Sequence, residues 1–96
     1  MARFGDGNHV AMERSELKIR LLGLGACMAD RLTVDRREWF ADFVRVGEYA
    51  LALEMLADWL SEDELPISVS ERAEARILAE AMGNVDRVMG PLARCP

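Results

Sequence analysis

Hydrophobic residues recur at three- and four-residue steps along most of the chain, and the clearest case runs from Gly47 to Glu64. At 100° per residue the apolar positions of this stretch fall on one stripe, as on a helix that faces a core. We predict a helix from Glu48 to about Glu62, stopped by Leu65-Pro66 because proline disfavours helical backbone in the residue before it. The predicted core stripe consists of Tyr49, Ala52, Leu53, Leu56, Ala57 and Leu60, with Trp59 at its flank.

A first helix is predicted upstream of this stretch. Ser15 is a candidate N-cap, with Glu16 favourably placed in the first turn. Gly23 and Gly25 weaken the second half, so the helix either stops near Leu24 or continues irregularly toward Ala29. Its predicted apolar face consists of Leu17, Leu21, Leu24 and Met28, widened by Ile19 and Leu22.

A second helix is predicted between Thr33 and Gly47. Thr33 is a plausible N-cap, and Gly47 suits the left-handed residue that follows a helix. The predicted apolar face holds Trp39, Phe40, Phe43 and Val44. We interpret Trp39 as a core residue, with an exposed interface anchor as the alternative. Since almost no loop separates this helix from the next, the two should meet at a sharp corner.

A fourth helix follows Pro66. Ser68 and Glu71 have the spacing of a capping box, in which each side chain accepts from the other residue's backbone N–H. The helix should end at Gly83, and Asn84 could cap a further short turn before Gly90-Pro91. Its predicted inward residues are Ala73, Ile77, Leu78, Ala81 and Met82. No segment alternates like a strand, so we predict an all-α fold, a compact bundle of four main helices with a possible short fifth C-terminal turn.

Length and composition bound the class of protein. The 96 residues suit one small domain, 13–96, preceded by a flexible leader, 1–12, which contains the lone His9. No apolar run approaches the 18 or so residues that a membrane span needs. Two cysteines and an N-terminus without a signal-peptide pattern indicate the cytoplasm.

The charge is unevenly distributed along the chain. The net charge is −5, which argues against nucleic-acid binding because phosphate contacts need a basic face. From Val46 to Glu71 there is no Lys or Arg, and seven acidic residues contribute −7. The remaining residues carry 12 basic and 10 acidic side chains, a net +2. The net acidity is therefore confined to about one quarter of the sequence.

Glu54, Asp58 and Glu62 recur at i, i+4 and i+8 on the side of the third helix opposite the leucine stripe. Like charges at this spacing destabilise an isolated helix by about 0.2–0.5 kcal/mol per pair. Leu51 and Met55 are interleaved with them. One interpretation is a central helix that packs on both sides, with its acids solvated where the packing ends. The other is a mixed apolar and acidic surface that receives a basic partner.

The stretch from Val46 to Gly83 resembles the MafI-type immunity proteins of bacterial polymorphic toxin systems. The residues that carry the resemblance are Gly47-Glu48-Tyr49, Ala52-Leu53-Glu54, Leu56, Trp59-Leu60, Glu62-Asp63, Leu65-Pro66-Ile67-Ser68 and Met82-Gly83. The resemblance implies a small, intracellular, non-enzymatic helical protein. It further implies binding to a cognate toxin domain, often a nuclease, and its neutralisation in the producing cell.

The chemistry of the residues agrees with binding rather than catalysis. No Ser/His/Asp or Cys/His set can be assembled, and carboxylate pairs such as Glu54 with Asp58 are usually solvated. Glu62-Asp63-Glu64 lacks the spacing and turn glycine of a calcium loop, so no metal or other cofactor is predicted. We predict partner contacts from Glu48, Leu51, Glu54, Met55, Asp58, Glu62, Asp63 and Glu64. The alternative is a helical adaptor or regulatory subunit unrelated to toxins.

Overall fold

A computed structural model of the protein describes residues 12–96, and this part of the chain is all-helical, as predicted. The prediction for the leader falls almost wholly outside the described residues. The structure has five α-helices rather than four and a turn: α1 Arg14–Cys27, α2 Val34–Arg45, α3 Tyr49–Glu62, α4 Val69–Met82 and α5 Val85–Leu92. A short 3-10 turn, Ala29–Arg31, links α1 to α2. None of the described helices is long and apolar enough to cross a membrane.

The central element is α3, which packs against all four of the other helices. Its predicted leucine stripe is confirmed, because Leu53, Leu56 and Leu60 are at most 1% exposed. Ala52, Ala57 and Trp59 are buried with them, and Tyr49 is half-buried. The methionines of α3, α4 and α5 are half-buried against this core, in agreement with their flexible, gap-filling character.

The beginning of α1 differs from the prediction. Helical hydrogen bonding starts two residues before Ser15, because the N–H of Leu17 donates to the carbonyl of Glu13 at 2.9 Å. Glu13 therefore occupies the N-cap position, and it makes no side-chain cap bond. The predicted widening of the apolar face was also wrong, since Ile19 is 70% and Leu22 42% exposed. These two residues lie opposite the buried leucines and face outward.

The glycines do not stop α1, which continues through both of them to Cys27. At Gly25 the reason is packing. A Cβ there would lie 2.5 Å from a ring carbon of Phe40, so only glycine admits the aromatic ring of α2 at this point. Gly23 has open space around it and serves no such contact.

Both predicted boundaries of α2 are confirmed. The Thr33 side chain accepts from the N–H of Arg36 at 3.2 Å. At the other end the N–H of Glu48 donates to the carbonyl of Phe43 at 2.8 Å, and the N–H of Gly47 to that of Val44 at 3.1 Å. This is the Schellman arrangement, and it requires the left-handed φ of +86° at Gly47. It makes the corner between α2 and α3.

The capping box of α4 is confirmed in both directions, at 3.0 Å and 2.9 Å between Ser68 and Glu71. The predicted inward face is wrong in part: Ala73, Ile77 and Ala81 are exposed. The buried residues are Ala75, Leu78 and Ala79, with Met82 half-buried. The buried side of α4 differs from the predicted one because the helix packs between α1 and α5. Two alanines on this side permit close approach, and Ile77 is left at the edge.

The fifth element is longer than the predicted turn, since α5 runs through Gly90 and Pro91 to Leu92. Val88 and Leu92, one turn apart, are both at most 2% exposed and anchor it to the core. Arg72 of α4 caps this end by donating to the carbonyls of Leu92 and Cys95, each at 2.8 Å.

Candidate partner-binding surface

The predicted contact residues of α3 share one side of the helix, the side turned away from the leucine stripe. We call this side, with the helix ends, the α3 outer face. Glu48 and Leu51 lie exposed at its beginning, and Glu62 at its end. Between them Glu54, Met55 and Asp58 are half-buried. Asp63 and Glu64 follow the last turn, and Glu64 has a positive φ of 50°.

At the middle of the α3 outer face, the acids are held by Arg87 of α5. Its guanidinium donates to both carboxylate oxygens of Asp58, at 3.0 and 2.8 Å, and lies 3.9 Å from Glu54. The hydrogen bonds with Asp58 raise the pKa of Arg87. Asn84 also donates to Glu54, at 3.0 Å. Arg87 thus joins α5 to α3, and its positive charge offsets the repulsion between these two closely spaced carboxylates.

At the end of the α3 outer face, Arg36 of α2 takes the same role. It lies 3.2 Å from Glu62 and 3.3 Å from Asp63, and its guanidinium carbon is 5.9 Å from the centre of the Trp59 ring. Both carboxylates are more than half exposed, so these ion pairs contribute little to stability.

The last acid of the Lys- and Arg-free stretch, Glu71, is the most fully paired. Arg31 donates to both of its carboxylate oxygens at 2.7 Å, and the backbone N–H of Ser68 adds a further bond. These bonds, chiefly those from Arg31, lower the pKa of Glu71 to about 2. Arg31 also donates to the carbonyls of Cys27 and Pro66, so it joins α1, α4 and the loop before α4. This cluster is structural and lies away from the α3 outer face.

The excess negative charge of the stretch from Val46 to Glu71 is therefore partly neutralised in the folded protein. Five of the seven acids in this stretch pair with arginines that lie outside it. These arginines, Arg31, Arg36 and Arg87, were not predicted from the sequence. The α3 outer face keeps six carboxylates against two guanidiniums, a net −4. In the described part of the chain, Glu48 and Glu64 make no ion pair. The α3 outer face remains acidic, but less than the linear count indicates.

Trp39 lies beside this face and not in the core, which overturns the preferred interpretation of that residue. Its side chain is 60% exposed, while Phe40 and Val44 are the buried residues of α2. Trp39 stands edge-to-face on half-buried Phe43, with ring centroids 6.0 Å apart and an angle of 63°. Phe40 turns toward Gly25 of α1, and Trp39, one residue earlier on the helix, is left outside that contact.

An open groove borders the α3 outer face on the side of α5. It is lined by Asp58, Ser61, Glu62, Gly90, Pro91 and Arg94. The groove is too open to enclose a small molecule, in contrast to typical ligand pockets. Among residues 12–96, no group of three or more His, Cys, Asp or Glu side chains is arranged to hold a metal ion.

The structure therefore defines an all-α domain whose central helix presents an acidic face beside an exposed tryptophan. No protein-family model matches the chain, and neither does any curated protein or solved structure.

Proposed function

We propose that the protein is an immunity protein, which binds a cognate toxin domain through the α3 outer face and neutralises it inside the cell that makes the toxin. A nuclease is the toxin class that fits best, because an active site that holds phosphate is basic. The single observation that carries the proposal is the net −4 of the six carboxylates of the α3 outer face and the two guanidiniums paired with them. The resemblance of the stretch from Val46 to Gly83 to the MafI-type immunity proteins supports a toxin domain as the basic partner.

Fixed carboxylates support this role better than mobile ones. Arg87 holds Asp58 in a bidentate pair, whereas Arg36 pairs more weakly with Glu62, so less side-chain freedom is lost at Asp58 when a partner binds. The same arginines set a condition on the partner. Its cations must share or replace ion pairs that already exist, whereas Glu48 and Glu64 can be engaged directly.

Complementary charge also affects the rate of capture. An acidic face attracts a basic partner and raises the association rate constant toward about 10⁸–10⁹ M⁻¹s⁻¹ at low salt. Fast capture matters when the toxin is made in the same cell. Since the Debye length is about 8 Å at physiological salt, the attraction should weaken steeply as salt is added.

The proposal predicts that a toxin with a variable C-terminal domain is encoded directly upstream, and that domain is the partner with which it is tested. Co-expression of the protein should rescue cells poisoned by that domain, and the purified pair should associate rapidly at low salt. Charge reversal at Asp58 or Glu62 would also break the contacts with Arg87 or Arg36. We therefore choose the double variant Glu48→Gln/Glu64→Gln, which removes two exposed charges without disturbing an ion pair of the described residues.

This variant should associate several-fold more slowly at low salt and depend less on salt. The matched control, Glu16→Gln/Glu80→Gln, removes the same charge from α1 and α4 and should retain the parent's kinetics. Equal slowing by both variants would show that only net charge matters and would remove the α3 outer face from the mechanism. Failure of the parent to rescue the cells would leave the adaptor alternative.

A further inference from the structure

The outer side of α2 carries a row of three apolar residues, of which only the middle one packs against the core. Trp39 and Val46 are both 60% exposed, and Phe43 lies between them, half-buried. Steps of four and three residues place the three side chains on one line along the helix. We call them the α2 row. A tryptophan so exposed is unusual, since its ring could bury more than about 150 Å².

The α2 row lies next to the α3 outer face. Trp39 follows Arg36 by one helical turn, and Arg36 binds Glu62 at one end of that face. Val46 lies at the other end, two residues before Glu48, where the Gly47 corner reverses the chain. The row therefore runs along α3 between Glu62 and Glu48.

The far side of the α2 row is acidic as well. Asp35 and Asp42 are exposed on α2, displaced from Trp39 by less than a quarter turn of the helix. Asp42 is 3.3 Å from Arg45, but both side chains are about 70% exposed, so this pair is weak. Carboxylates therefore border the apolar row on both sides, Asp35 and Asp42 on one, and Glu48 and Glu62 at the two ends of the other. Arginines that pair with Asp42 and Glu62 offset part of this charge.

We infer that the α2 row and the α3 outer face form one docking surface, and that its occupant is an amphipathic basic protein segment, with an apolar stripe that covers Trp39 and with lysines or arginines on both sides of that stripe. The inference rests on the proposed function for the toxin as the source of the segment. Charge complementarity selects the occupant: a second copy of this chain would bring acid against acid, whereas a cationic flank meets a carboxylate at each edge.

Trp39 is the anchor of this surface. Binding energy in protein interfaces concentrates in a few central residues, in which tryptophan is enriched, while the charged rim sets the rate and the orientation. The edge-to-face contact with Phe43 holds the indole in one orientation before binding. A polycation without an apolar stripe would pair with the carboxylates at the edges and leave Trp39 exposed to solvent.

The inference is tested with two synthetic peptides of equal charge, an amphipathic Leu/Lys helix and an oligolysine. The Leu/Lys peptide should shield tryptophan fluorescence of the parent from acrylamide, and Trp39→Phe should lose that shielding because only Trp59 remains. Trp39→Ala should bind the Leu/Lys peptide at least tenfold more weakly. The matched control is Ile19→Ala, which truncates an equally exposed apolar residue on α1 and should bind as the parent does.

Each result bears on the inference separately from the proposed function. Equal binding of both peptides, or unchanged affinity in Trp39→Ala, would overturn the apolar anchor while leaving an acidic surface for a toxin. Absence of binding by the Leu/Lys peptide at millimolar concentration would overturn the docking surface itself. If the peptide results are as expected but the upstream domain is not neutralised, the surface stands and the immunity function falls.

Discussion

Replacing Glu71 with Gln should lower the free energy of unfolding at neutral pH, and the loss should disappear in acid. The carboxylate receives two hydrogen bonds from Arg31 and one from the backbone of Ser68. Glutamine keeps one oxygen for the capping box. However, its amide NH₂ cannot accept from Arg31, and the guanidinium loses its buried counter-charge, since both side chains of this pair are less than 20% exposed. Only Asp30 remains as a counter-charge, 3.3 Å away and 80% exposed.

The magnitude follows from the pKa. Lowering the pKa of a carboxyl group from 4.5 to about 2 corresponds to about 3 kcal/mol of folding stability, at about 1.4 kcal/mol per pH unit. Because the pKa is lower in the folded state, this contribution is fully present above pH 4.5. It is lost as the pH falls toward 2, and less than half remains at pH 3. A 96-residue domain has roughly 5–14 kcal/mol in total, so the variant should still fold at pH 7.

The assay is urea unfolding followed by circular dichroism, for the parent and Glu71→Gln, at several pH values between 7 and 3. The difference in unfolding free energy should be about 3 kcal/mol at pH 7 and should narrow by more than half at pH 3. The control is Glu80→Gln, which breaks a pair with Arg76 that is 3.8 Å long and more than half exposed. It should change stability by less than about 0.5 kcal/mol. A Glu71→Gln loss that is independent of pH would refute the reasoning.

Two further predictions concern the glycines of α1 and the tryptophans. Gly25→Ala should cost about 1–3 kcal/mol because the new methyl group meets the Phe40 ring, whereas Gly23→Ala, in open space within the same helix, should gain about 0.5–1 kcal/mol. Equal effects in thermal unfolding would contradict the close packing of α1 on α2. Acrylamide should quench the parent strongly and Trp39→Phe weakly, because Trp59 is only 8% exposed; similar quenching of both would show that Trp39 is not the exposed ring.

If the α3 outer face binds a partner as proposed, its ion pairs divide it into two parts. Asp58 and Glu54 are bound by α5 and belong in large part to the fold, since Arg87 holds the two helices together there. Glu48, Glu62 and Glu64 are exposed and can exchange partners freely. A basic partner should therefore engage the two ends of α3 first. Its contacts at the centre of the α3 outer face must compete with a bidentate ion pair.

What the sequence by itself determined is local. The leucine stripe of α3, the Thr33 cap, the capping box of Ser68 and Glu71, and the left-handed corner at Gly47 each depend on residues within one or two helical turns, so spacing and side-chain chemistry are enough to predict them. The acidic side of α3 was visible for the same reason.

Only the tertiary structure decided which side of each helix is covered and which charges are neutralised. An apolar position can lie inside or outside depending on which neighbour packs there, so the sequence placed Trp39, Ile19 and Ile77 inside, and the structure leaves them exposed. Arg87 reaches Asp58 across 29 residues of chain and Arg31 reaches Glu71 across 40. Such pairs form because helix packing brings residues from distant parts of the chain together, and no local sequence pattern predicts them.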